Sequence, residues 1–107
     1  MISIEKMFAL LRSITGFADK VTYYEWPLNE APALPFICFF SEQEANFGAD
    51  NINYFHTPRF SVELYTKARD LDAEAALEAA FTSAGLFYTK ESAYLNDERC
   101  QMTVYTI

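Results

Sequence analysis

At 107 residues with a formal net charge of −7, the chain has room for one hydrophobic core, and its surface repels polyanions. Hydrophobic residues make up 51 % of it, which excludes wholesale disorder, while its eight Lys and Arg are scattered, which speaks against duplex DNA or an anionic membrane as main partner. Its longest apolar run, 36–40, is far too short to cross a bilayer, and no basic region followed by an apolar stretch marks a signal peptide.

The first expected element is a helix over 4–15. Ile4, Met7, Phe8, Leu11 and Ile14 recur at three- and four-residue steps, Ser3 caps the start, Glu5 suits the first turn, and Gly16 marks the stop. Phe17 is placed to fold back on the last turn. A strand follows over 20–26, with Val21, Tyr23 and Glu25 on one face and Thr22, Tyr24 and Trp26 on the other. Pro27, Pro32 and Pro35 then hold an extended connection. Residues 36–40 read as a strand inside the sheet, because they offer no polar face.

Periodicity breaks down over 42–57. A stretch this long without a pattern is usually functional or disordered, and Phe47 and Ile52 speak for an arm that orders on contact. Alternation returns over 59–66, with Phe60, Val62 and Leu64 inward and Arg59, Ser61, Glu63 and Tyr65 outward. A second helix begins at Asp70 or Asp72, runs to about residue 84 and stops at Gly85. Its expected apolar side is Leu71, Ala75, Leu77, Ala80, Phe81 and Ala84. A hairpin closes the chain, 86–95 and 99–107 about a turn at Asn96 and Asp97. In its last strand Cys100, Met102, Val104 and Thr106 form the more apolar set. Tyr105 and Ile107 on the opposite side leave the inward face open. The order α-β-β-β-α-β-β predicts a single α+β domain over 1–107, with two helices packed on a mixed, mainly antiparallel sheet.

The chain carries ten Phe, seven Tyr and one Trp, whereas a domain of this size buries only about two thirds of its unfolded surface. The rings either fill a Phe-rich core with half-buried strand tyrosines or line a contact with another subunit.

Chemistry-bearing motifs are scarce. The single histidine, His56, and the two cysteines, Cys38 and Cys100, come from separate elements without a close ligand pair, so no metal site is expected. Reduced thiols are expected in place of a bridge. Glu42, Glu44, Asp50, Asp97 and Glu98 fall in loops or turns and read as solvated. Glu63 points away from the core and is expected to pair with a lysine or arginine across strands. Three glycines, two of them helix stops, make no phosphate-cradling loop. Neither catalysis nor a cofactor is expected.

Several phrases carry a resemblance. Ala33-Leu34-Pro35-Phe36-Ile37 leads into Asn46-Phe47-Gly48-Ala49-Asp50-Asn51 and then Tyr54. Val62-Glu63-Leu64-Tyr65-Thr66-Lys67 precedes the second helix, and Gly85-Leu86-Phe87-Tyr88-Thr89-Lys90 follows it. Across about 23–105 the chain thereby resembles the small tail-completion or tail-terminator-like proteins of long-tailed phages and prophages of Gram-positive bacteria. The resemblance implies a virion structural protein, assembled in the host bacterial cytoplasm. It also implies a homo-oligomeric ring, usually a hexamer, that caps the major tail tube protein and meets the head-tail connector protein. Phe47, Asp50, Asn51 and Tyr54 are the contact residues it implies, although Phe47 and Tyr54 read equally well as anchors of their own loop. A head-closure or adaptor component of the same phage is the neighbouring alternative. A small ligand-binding domain and a dimeric host regulator are the alternatives outside phages.

Overall fold

The computed structural model describes residues 3–27, 30–41 and 60–107. Two helices and five strands follow in the expected order: α1 (Ile4–Arg12), β1 (Val21–Tyr23), β2 (Phe36–Ser41), β3 (Phe60–Thr66), α2 (Leu71–Ser83), β4 (Thr89–Leu95) and β5 (Cys100–Thr106). The strands form one mixed sheet ordered β1-β2-β3-β5-β4, in which β1 runs parallel to β2 and every other pairing is antiparallel. The apolar run of β2 is explained by its place between β1 and β3.

Each helix ends where local chemistry stops it. The Ser3 hydroxyl accepts from the Lys6 amide (3.1 Å), and Met7 and Leu11 of α1 are fully buried. α1 ends three residues earlier than periodicity predicts. Tight turns at Ile14 and Phe17 replace its last helical turn, Gly16 follows a positive φ of 92°, and Phe17 folds into the core. In α2, the Asp70 carboxylate accepts from the Ala73 amide (3.1 Å). At the other end Leu86 N–H donates to Phe81 C=O (2.9 Å) and Gly85 N–H to Thr82 C=O (3.0 Å), the paired bonds of a Schellman stop with Gly85 at φ 75°.

Both helices pack on the same face of the sheet. Met7 and Leu11 of α1 and Ala73, Leu77 and Phe81 of α2 share one core with Ile37, Phe39, Phe60, Val62, Leu64 and Tyr105. One expectation changes here, for Leu71, Ala75 and also Ala84 of the expected apolar side of α2, and one open reading is decided, the inward face of β5. Leu71, Ala75 and Ala84 face solvent, because the buried stripe of α2 runs through Ala73, Leu77 and Phe81 and takes in Glu74. In β5, the inward side is Thr103 and Tyr105, which stand beside Leu64 and Val62 in the register. The more apolar set, Cys100, Met102, Val104 and Thr106, faces the opposite side.

The inward tyrosine is held by a polar network. Tyr105 OH donates to Glu78 Oε2 (2.9 Å), and its ring meets Phe81 and Tyr88 edge-on or tilted, with centroids 5.4 Å away. Lys90, beside Tyr105 in the register, reaches Glu78 Oε2 (2.7 Å) and Glu74 Oε1 (2.8 Å), and Arg69 Nε reaches Glu74 Oε2 (3.0 Å). Glu74 is only 3 % exposed, so two cations compensate the burial of one carboxylate.

The Lys90 ammonium, helped by the Tyr105 hydroxyl, holds the Glu78 carboxyl below its ordinary value of 4.5 against the opposing effect of partial burial. A lowered carboxyl pKa contributes stability above the ordinary value that is lost as pH falls through the folded one. Glu78→Gln is therefore expected to flatten the loss of stability below about pH 4.5, read as urea midpoints across an acid series. Phe81→Ala empties the site where helix and sheet meet, and should cost about 3–5 kcal/mol in the same measurement at neutral pH.

Candidate functional site

The face of the sheet away from both helices is the most unusual surface of the molecule. Alternation places Phe36, Cys38 and Phe40 of β2, Ser61, Glu63 and Tyr65 of β3, and Cys100, Met102 and Val104 of β5 on it, with Ala93 and Leu95 of β4 alongside. A solvated face of an antiparallel sheet normally alternates to polar residues. Here Phe36, Phe40, Tyr65, Met102, Val104 and Leu95 are all partly exposed, and none belongs to the buried core.

Its β1 side is an aromatic band. Tyr24, at a φ of 78°, turns out of β1 and stacks on Phe40 with centroids 5.8 Å apart and planes 13° from parallel. Trp26 meets Phe36 edge-on at 6.0 Å, and Phe36 leans on Tyr65 at 5.2 Å. The positive φ at Tyr24 both ends β1 and swings the ring over β2, which is why the strand is shorter than its composition predicts. Tyr24 remains 55 % exposed, and the Trp26 indole N–H is buried without a hydrogen-bond partner among the described residues.

Beside the band, Leu34, Phe36, Cys38, Tyr65, Glu98 and Cys100 line an open cavity of about 400 Å³. Its polar groups are quiet. Tyr65 OH donates to Glu63 Oε1 (2.8 Å), and burial followed by this bond raises the tyrosine pKa. Glu63 thus pairs with a tyrosine two residues along its own strand; its cross-strand neighbours in the register are Cys38 and Val104, so the expected lysine or arginine is replaced. Burial, with Glu63 and Glu25 nearby, pushes the Cys38 thiol up to about 11, and burial with Glu98 raises Cys100. Both are free thiols.

Phe47, Asp50, Asn51 and Tyr54, together with His56, Glu42 and Glu44, lie outside the described residues. Asp97 lies in the exposed turn between β4 and β5, and Glu98, also exposed, edges the cavity. The aromatic band was only half legible in sequence. Tyr24, Trp26, Phe36, Phe40 and Tyr65 come from three elements, and the one signal for their meeting is the absence of a polar face in 36–40. Among the described residues, no three His, Cys, Asp or Glu side chains group to hold a metal ion. Comparisons with protein-family models, curated proteins and solved structures find no match to this chain.

A thiol with a pKa near 11 is scarcely ionised at pH 8, so Cys38 should react with a maleimide or disulfide reagent about 100-fold more slowly than a free cysteine. Unfolding in guanidinium should restore full reactivity, with the labelled site read by peptide mass.

Proposed function

We propose that this chain is a phage virion structural protein, a tail-terminator or tail-completion subunit that assembles into a ring at the end of the tail tube. The observation that carries the reading is the one-sided sheet. Helices cover one face, while the other presents aromatic and aliphatic side chains, several of them partly exposed, of the kind enriched at subunit contacts. The phrases shared with tail-terminator-like proteins support the same reading independently. In it, the band at Tyr24, Phe40 and Trp26 is one contact surface, and Phe47, Asp50, Asn51 and Tyr54 are the contacts on the 42–57 stretch. The ring meets the major tail tube protein on one side and the head-tail connector on the other. A ligand-binding domain is the second reading, favoured by the cavity beside Tyr65.

The test has two parts: whether a major tail tube protein is encoded beside this gene, and whether the chain assembles with tubes of such a protein, viewed by electron microscopy. Rings of uniform diameter at one tube end are expected. Tyr24→Asn with Phe40→Thr removes the exposed rings, with asparagine tolerating the positive φ, and should abolish ring formation while the isolated chain still melts cooperatively. Phe47→Ala with Tyr54→Ala should do the same. Tubes that never acquire a cap in the presence of the chain would sink the reading.

A further inference from the structure

The two edges of the sheet are built differently. β1 offers three residues and is stopped by Tyr24 at positive φ and by Pro27 soon after, a blunted edge. β4 offers seven, all but Leu95 exposed, and pairs with β5 along its whole length with no described strand on its other side. It contains no proline and no residue at positive φ. Its one lysine, Lys90, does not guard the edge, because Glu74 and Glu78 draw it over the helix-covered face. Without a strand partner among the described residues, the outer backbone N–H and C=O groups of β4 form a template for another strand.

We propose that β4 pairs antiparallel with β4 of a second copy of this chain, about a two-fold axis at Ser92. Charge and length select the register. Facing residues in such a pair lie on the same side of the sheet, so the axis must pass through a residue position. An axis at Glu91 sets two glutamates face to face, and one at Lys90 sets two lysines, both unfavourable. Ser92 is the midpoint of Thr89–Leu95, so an axis there pairs the entire strand. It places Glu91 opposite Ala93, Lys90 opposite Tyr94 and Thr89 opposite Leu95, so no like charges stand directly opposite and the two copies of Glu91 are only diagonal to each other. Tyr94, 52 % exposed, then lies against the stem of the second copy's Lys90, whose ammonium stays on Glu74 and Glu78. Phe87, 91 % exposed, falls on the same side as Leu95 and diagonal to it across the junction, within reach of an aromatic ring. The pairing joins two sheets into one and leaves the aromatic band of each copy free at the far edge.

Sedimentation equilibrium of the full chain from micromolar to millimolar concentration is expected to follow a monomer–dimer equilibrium. Ala93→Glu puts a carboxylate opposite Glu91 of the second copy on both sides of the axis and should weaken the dimer about tenfold. Ala93→Lys should tighten it, and Ala93→Glu combined with Glu91→Lys should restore it. Residue 93 is exposed, so all variants should melt alike when dilute. A chain that stays monomeric throughout, or a dimer indifferent to the sign of the charge at 93, overturns the pairing. An axis at Ala93 is excluded by the same series, since it would set position 93 against itself and make either charge repulsive. The inference does not rest on the ring: Tyr24→Asn with Phe40→Thr should leave this dimer intact.

Discussion

Tyr105 joins helix α2 to the sheet, and the rest of the molecule follows from which way that side chain points. Its ring is fully buried against Phe81 and Tyr88, and its hydroxyl finds Glu78 on the helix above. A tyrosine can be buried this deeply only if its hydroxyl keeps a partner, since an unpaired buried hydroxyl costs about 1–3 kcal/mol. Glu78 supplies the acceptor, Lys90 neutralises it, and Lys90 is in reach because β4 sets it beside Tyr105. Helix, hairpin and sheet are thereby fixed by one connected group of side chains.

Once Tyr105 points toward the helices, alternation forces Cys100, Met102 and Val104 to the other side. The same parity rule, carried through the register to β2 and β3, puts Phe36, Phe40 and Tyr65 there too. The apolar character of that face follows from burying Ile37, Phe39, Phe60, Val62, Leu64 and Tyr105 on the opposite side, and no described helix lies over it.

Among the described residues the sheet has one helix-covered and one uncovered face, and one short and one long edge strand. Two of these features lie at opposite sides of the molecule. The band at Tyr24 and Phe40 sits by β1, and the outer backbone runs along β4. They differ in chemistry as well: aromatic side chains recognise shape and apolar area, whereas an exposed strand recognises any extended backbone in register. Neither needs a reactive group, and the cysteines and tyrosine nearest the cavity are held in their protonated forms by burial.

The order of elements, both helix starts, the Gly85 stop and the inward residues of β3 could be read from sequence, because capping and periodicity are local. So could the excess of aromatic side chains. The inward face of β5 could not, since Met102 and Val104 outweigh Thr103 in apolarity and only the distant partners of Tyr105 tip the balance. Glu74 was illegible for the same reason: its compensating cations, Arg69 and Lys90, come from a loop and from a strand later in the chain. Composition determined that this protein has many aromatic side chains to place. Where its rings lie was decided by tertiary contacts, because the mixed pattern of β5 leaves its face open until Tyr105 packs on Phe81 and Tyr88 and its hydroxyl meets Glu78.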